Sequence, residues 1–210
     1  MSEAPGIRFD LRDCTPVETI DGSRSWTTPD GLLLLINSFP IPPDLPVADD
    51  VNDFTRRYRE ECAAGGVGLV DCAIVTAAST RALQTVIKSP QQPSGMTYVG
   101  ALTLPWTDCS VVVRVQGIEH GVTGVRDATV LDEAMAHGRV QAGEFGLDGW
   151  SDVATTGLDR NLSEDPELDM RFPGHPLTQV RQRLELIAQS LEIEPGATGL
   201  APFPLPQPAG

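Results

Sequence analysis

The fold is decided by residues 96–118, which read MTYVGALTL, PWTD and CSVVVRVQGI in succession. Both outer stretches are rich in apolar and β-branched residues, which favour β-strands. The four residues between them form a connection of the length that joins the two strands of a hairpin. The valine run that begins at Val111 predicts a central strand that is covered on both faces.

Two more strand patterns precede this hairpin, from Val67 to Thr76 and from Leu83 to Lys88. Short loops join all four strands, whereas parallel strands would need a long crossover between them. Further upstream, Ile7 to Arg12 alternates apolar and charged residues, and Leu32 to Ile36 is typical of a strand buried on both faces. The sequence therefore predicts a mostly antiparallel sheet of about five to seven strands.

Helical patterns lie outside this run of strands, as expected for the α+β class. A helix is predicted from Asp50 to Ala64, where Gly65 ends it, and a shorter one from Asp127 to Ala136. An amphipathic helix begins at Pro176, which suits the first helical position. The predicted sheet is thus flanked by one helix from the N-terminal half and one near the C-terminus.

The chain is predicted to form one α+β domain over residues 1–194, followed by a Pro-rich tail over residues 195–210. The tail contains Pro202-Phe203-Pro204-Leu205-Pro206, which cannot form regular hydrogen-bonded structure. We expect it to be extended. It could instead lie across the domain or bind a proline-recognising module.

Charge and composition exclude several classes of protein. Fifteen basic residues against twenty-nine acidic ones give a net charge of −14, which opposes binding to nucleic acid. The same charge suits either a solvated acidic surface or a basic protein partner. No apolar run approaches the ~20 residues that span a bilayer, and the N-terminus lacks a signal-peptide pattern. These features predict a cytoplasmic protein with reduced cysteines.

No catalytic residue, cofactor site or metal centre is predicted with a recognised motif. Cys109 and His120 could form a nucleophile and base, but no family-specific residues flank them. His137 and His175 are explained by positions at a helix end and a helix start. Gly121 to Gly124 lacks the Lys and Ser or Thr that complete a phosphate loop. The sequence therefore favours a non-catalytic protein.

One polar stretch, residues 159–169, alternates oxygen-bearing side chains in the manner of a calcium loop. The calcium candidates are Asp159, Asn161, Ser163 and Asp165. Glu164 and Met170 depart from the EF-hand pattern, which needs a glycine and a bidentate glutamate there. The alternative is a short helix that Ser163 caps, with Glu164 and Asp165 in its first turn.

The order of elements resembles the PsbP-like superfamily over about Ile7 to Ile193. The residues that carry the likeness are WTTPDG at 26–31 before a strand, the helix over 50–64, YVGALT at 98–103 and FPGHPL at 172–177. The last of these also resembles actinobacterial proteins of similar length. The superfamily includes the photosystem extrinsic subunit, a Ran-binding import factor, LpqN-type lipoproteins and chaperones of secreted effectors. The resemblance implies a protein that binds or escorts other proteins, although the lipobox cysteine of the lipoproteins is missing.

The leading functional prediction is a non-catalytic protein-interaction module, an adaptor or chaperone. One alternative is a small-molecule-binding domain or enzyme with a pocket near residues 143–157, and another is an immunity protein that neutralises a basic toxin. The predicted partner contacts are Trp106, Trp150, Glu164 and Asp165, because exposed aromatic residues often anchor interfaces. The partner and the oligomeric state are not indicated.

Overall fold

The computed structural model describes residues 4–18, 23–143, 146–151, 158–194 and 199–207. Three α-helices lie within these ranges: α1 (Val51–Ala64), α2 (Val125–Ala136) and α3 (Pro176–Ser190). Two short 3₁₀ helices, Leu162–Glu164 and Pro166–Arg171, precede α3. The strands are β1 (Ile7–Arg8), β2 (Thr15–Val17), β3 (Arg24–Thr27), β4 (Leu33–Phe39), β5 (Gly68–Ala77), β6 (Thr80–Pro90), β7 (Met96–Pro105), β8 (Ser110–Ile118), β9 (Gln141–Gly143), β10 (Gly146–Asp148) and β11 (Glu192–Ile193).

Seven of the strands form one antiparallel sheet in the order β2-β3-β4-β8-β7-β6-β5. This confirms the predicted α+β class and the antiparallel pairing. The hairpin that decided the prediction, β7 with β8, lies near the middle of the sheet, and Thr97 pairs with Ile118 at its far end. Strand β4 is distant from β8 in sequence, but it pairs with β8 along its whole length.

Helix α3 packs on one face of this sheet and makes the main core. Its apolar stripe, which includes Leu177, Val180 and Leu184, is fully buried and belongs to the same cluster as Leu102 and Val113. Gly100 lets the helix approach closely, because a Cβ added there would lie 2.6 Å from Leu184 Cδ1 and 2.7 Å from Val180 Cγ1. The stripe predicted for this helix therefore packs against the sheet.

Among the described residues, the other face of the sheet is covered by a helix at its β5–β6 end. Helix α1 lies over this end, and Phe54 packs with Leu83 and with Leu205 from the C-terminal segment. Arg81 donates to the carbonyl oxygens of Leu205, at 2.9 Å, and of Pro206. Part of the Pro-rich segment thus lies across the domain, which was one of the alternatives considered from the sequence.

The helix starts agree with the local signals. Asp50 Oδ1 accepts from the backbone N–H of Asp53 at 2.9 Å and caps α1, and His175 caps α3. Helix α2 begins two residues earlier than predicted, because Gly124 adopts the left-handed conformation with φ 72° and turns the chain at Val125. The capping prediction for Ser163 is wrong: Asn161 caps the first 3₁₀ helix, and Asp165 caps the second.

The N-terminal strand predictions need correction. Only Ile7 and Arg8 are paired, with β11 and outside the large sheet, since the chain turns at Leu11, whose carbonyl accepts from the N–H of Cys14. The polar stretch after it supplies β2 and β3, which were not predicted. Strand β8 is not covered on both faces, because Arg114 is exposed within it.

Candidate functional site

The part of the sheet that α1 leaves uncovered is the floor of a groove, which we call the central groove. Its volume is about 640 Å³. The connection from β4 to α1 forms one wall with residues 41–45, and Tyr58 of α1 stands at one end. The side chains on its floor are Leu33, Leu35, Thr85, Ile87, Val99, Ala101, Thr103, Val112, Arg114 and Gln116.

The floor is apolar because alternate residues of four neighbouring strands point to it. On β4 the sequence LLLINSF sends Leu34 and Ile36 into the core, while Leu33 and Leu35 stay half-buried on the groove side. Strand β8 follows the same alternation, with Val113 and Val115 in the core. The aliphatic run that suggested burial on both faces therefore lines the core on one face and the groove on the other.

Arg114 stands at the centre of this floor. Its register neighbours on the two adjacent strands are Leu35 of β4 and Ala101 of β7, and Ala101 in turn pairs with Thr85. Directly opposed residues have Cβ atoms about 5 Å apart. The guanidinium group therefore rises between two aliphatic side chains. Among the described residues it forms neither a hydrogen bond nor an ion pair.

Polar groups are sparse around Arg114. Gln116 lies two residues along β8, and Ser110 at the other end donates to the carbonyl oxygen of Ile41 at 3.3 Å. Burial raises the pKa of Tyr58, so its hydroxyl is neutral near pH 7. The groove thus combines an apolar surface with one permanent positive charge, a combination that suits binding.

A second group of polar residues is buried between the sheet and the 3₁₀ segment. Lys88, the single lysine of the sequence, is 3% exposed. Its Nζ donates to Glu164 Oε2 at 2.8 Å and to the carbonyl oxygen of Asp159 at 2.8 Å. Burial raises the pKa of Glu164, although Lys88 opposes that shift. This ion pair fixes the polar stretch to β6.

Two arginines extend the same network. Arg126, 1% exposed, donates to Thr178 Oγ1 at 2.9 Å and to Asp169 Oδ1 at 3.0 Å. Arg181 bridges Asp71, at 2.7 Å, and the same Asp169, at 3.0 Å. Every one of these charges is paired, and the network joins α2, α3, β5 and the 3₁₀ segment. Its role is structural.

His175 and Glu119 meet beside a smaller cavity of about 300 Å³. The N–H of Leu177 donates to His175 Nδ1 at 3.2 Å, which leaves Nε2 to face Glu119 Oε1 at 3.3 Å. Burial alone would raise the pKa of Glu119, but hydrogen bonds from His175 and from two backbone N–H groups hold it below its usual value. Nδ1 thus caps α3, as the sequence predicted for this histidine, while Nε2 contacts Glu119.

The predicted partner contacts lie in different surroundings. Trp106 is 5% exposed and packs in the core, so the exposure on which that prediction depended is missing. Glu164 is 1% exposed and is held by Lys88. Trp150 is half-buried, and its carbonyl oxygen accepts from Leu162. Asp165 is half-buried and accepts from the N–H of Glu167 at 2.9 Å.

The four calcium candidates do not converge. Asn161 and Asp165 each cap a 3₁₀ helix, Ser163 donates to Asp127, and the carbonyl of Asp159 accepts from Lys88. The part of the chain that the structure describes holds no cluster of three or more His, Cys, Asp or Glu suited to a metal ion. Two of the four candidates, Asn161 and Asp165, thus serve as helix caps, and Ser163 caps neither helix.

Two other predictions concern places that the structure separates or only partly describes. Cys109 and His120 lie at opposite ends of β8, which puts them roughly 30 Å apart, so they form no nucleophile–base pair. The pocket predicted near 143–157 falls partly on residues 144–145 and 152–157, which lie outside the described residues. The described part of that region holds the β9–β10 hairpin.

Comparison with known proteins gives a likeness in fold. The Ran-binding protein Mog1p of Saccharomyces cerevisiae is 9% identical over 63% of this chain and 85% of its own, with a TM-score of 0.38. CyanoP, the cyanobacterial PsbP of Synechocystis, is 11% identical over 64% and 90%, with a TM-score of 0.34. LpqN of Mycobacterium tuberculosis, a protein involved in cell envelope biogenesis, is 14% identical over 63% and 80%, with a TM-score of 0.33.

CyanoP is itself a PsbP protein, the group after which the superfamily of the sequence resemblance is named. At these identities and TM-scores the likeness says nothing about the site. No protein-family model matches the sequence, and no curated protein matches it either. Across the described ranges, no helix is long and apolar enough to cross a membrane.

Proposed function

We propose that this chain is a non-catalytic protein-interaction module that holds an apolar segment of a partner protein in the central groove. The observation that carries the proposal is the partly exposed aliphatic floor of the groove, with Leu33 and Leu35 on β4 and Val99 on β7. Apolar side chains gathered in one concave place favour association, because covering them removes apolar surface from water.

The remaining polar clusters support binding over catalysis as the use of this surface. Two carboxylates with shifted pKa values, Glu164 and Glu119, contact Lys88 and His175 outside the groove lining and hold the fold together. The net charge of −14 favours a partner that is basic as a whole, since opposite net charges speed encounter.

The test is affinity capture from the native host with a matched pair of variants. Val99→Lys places a charge on the groove floor, and Leu186→Lys places the same charge on α3, where the side chain is 54% exposed. We expect the wild type and Leu186→Lys to recover one protein in near-equal amount, and Val99→Lys to lose it while keeping its melting temperature. An empty capture, or one that Val99→Lys leaves unchanged, contradicts the proposal.

A small-molecule ligand is the second candidate, because a volume of about 640 Å³ lies in the range of ~300–1,000 Å³ usual for such sites. Native mass spectrometry of the protein from its own host separates the two. A bound small molecule that Val99→Lys releases would favour this candidate over the protein partner.

A further inference from the structure

The single charge on the groove floor determines what the occupant must carry. Covering Arg114 with a purely apolar segment would remove a guanidinium from water without a counterion, which is strongly unfavourable. Most other arginines of the described chain have partners; Arg181 and Arg183, for example, each contact carboxylates. Arg114 has none there, so an occupant that covers it has to bring the anion.

The described lining of the groove does not supply this anion. Its one carboxylate, Asp44, forms no ion pair with Arg114. Arginine binds carboxylates in a bidentate manner, which fixes direction as well as charge. A carboxylate on the occupant therefore sets its position along the floor.

The position of Arg114 indicates whether the carboxylate of the occupant lies within its apolar body or at one end of it. Leu35 lies on one side of it and Ala101 on the other, and beyond them the floor continues to Thr85 on β6. The four strands β4, β8, β7 and β6 cover roughly 14 Å, the length of about four or five residues of extended chain. A fatty acid would put its charge at one end of its apolar body, whereas the charge of this floor lies inside the apolar area.

From this geometry we infer that the central groove takes an extended peptide segment in which apolar residues flank a single Asp or Glu, whose carboxylate pairs with Arg114. This inference rests on the proposed function and specifies the chemistry of the partner segment. A segment with several acidic residues is disfavoured by the −14 charge of the chain. The selected pattern is one carboxylate between apolar side chains.

The experiment uses a random linear peptide library displayed on phage as the probe. It is selected against the full chain as wild type, Arg114→Gln and Arg114→Glu. We expect the wild type to enrich apolar peptides with Asp or Glu at one internal position. Arg114→Gln should keep the apolar pattern without the acid, and Arg114→Glu should replace the acid with Lys or Arg. Because Arg114 is exposed, the variants should fold, and circular dichroism with the melting temperature checks this.

The outcomes separate this inference from the proposed function. Apolar peptides without a fixed acidic position on the wild type would overturn the inference and leave the groove as a protein-binding site. The same is true if enrichment is identical on the three proteins. If no peptide is enriched at all, both fail. A synthetic wild-type-selected peptide should lose roughly 30-fold or more in affinity when its acid is replaced by the amide, and this loss should vanish on Arg114→Gln.

Discussion

Replacing Lys88 with methionine tests the buried ion pair and its electrostatic origin together. Lys88 and Glu164 are 3% and 1% exposed, and their charged atoms lie 2.8 Å apart. Methionine keeps the apolar length of lysine but leaves the Glu164 carboxylate buried without its cation. Removing one partner of a buried pair costs about 3–5 kcal/mol of unfolding free energy.

The size of the loss should depend on pH. An unpaired Glu164 can escape its cost by taking up a proton, and burial already raises its pKa from the usual 4.5. Protonating this carboxyl group costs about 1.4 kcal/mol for each pH unit above 4.5, which gives about 5 kcal/mol near pH 8 and about 1.5 kcal/mol near pH 5.5. The stability lost through the unpaired charge cannot exceed these values, because protonation is always available as the alternative. The folded variant binds more protons than the unfolded chain, so its stability rises as pH falls through the folded-state pKa.

Urea denaturation of the wild type and Lys88→Met at these two pH values measures the effect. The control is Lys88→Met combined with Glu164→Gln, which removes the buried charge and should recover much of the loss and abolish its pH dependence. A loss below about 1 kcal/mol near pH 8, or an equal loss at both pH values, would refute the electrostatic argument and leave packing as the cause.

Three further predictions use the same measurements. Leu205→Ala should lower the unfolding free energy by about 2–3 kcal/mol, because Leu205 is 4% exposed in an apolar cluster; an unchanged melting temperature would mean that the C-terminal segment is not held there in solution. Gly100→Ala should cost about 1–3 kcal/mol, since the added methyl group meets α3 at Leu184, and equal stability in urea would contradict this close packing. Glu119→Gln should remove the part of the stability that the wild type loses as pH falls below the usual 4.5 of a glutamate; parallel acid-denaturation curves for both proteins would argue against a lowered pKa in the folded state.

The parts of the fold that the sequence predicted are those with local signals. Strands β5 to β8 and helices α1 and α3 have apolar periodicity with capping residues or glycines at their ends, and the structure confirms them. The short strands β2 and β3 were missed because they span only three and four residues, and Pro16 interrupts the first. They form because the edge of β4 is free to pair with β3. Local sequence patterns do not show that this edge is available.

The candidate site was missed for a different reason. Its floor is made of ordinary strand residues. The side chains that point to the groove are mostly of the same aliphatic types as those that point to the core, so the sequence predicted burial on both faces for β8. One residue carried the opposite signal: Arg114 interrupts VVVRV, and a charged side chain is not expected in a strand buried on both sides. The predicted contacts Trp106 and Glu164 lie in the core and in a buried ion pair, because large or charged side chains can equally be core or ion-pair residues.

Stability alone does not account for Arg114 at the centre of the sheet. A valine at that position, covered by a longer connection after β4, would gain about 25 cal/mol for each Å² of apolar surface buried. An exposed arginine without a partner returns no comparable gain, since even paired surface charges contribute at most about 1 kcal/mol. The half-open floor is therefore a cost to the folded state that binding can offset, provided that the occupant covers the aliphatic side chains and neutralises the guanidinium group at the same time.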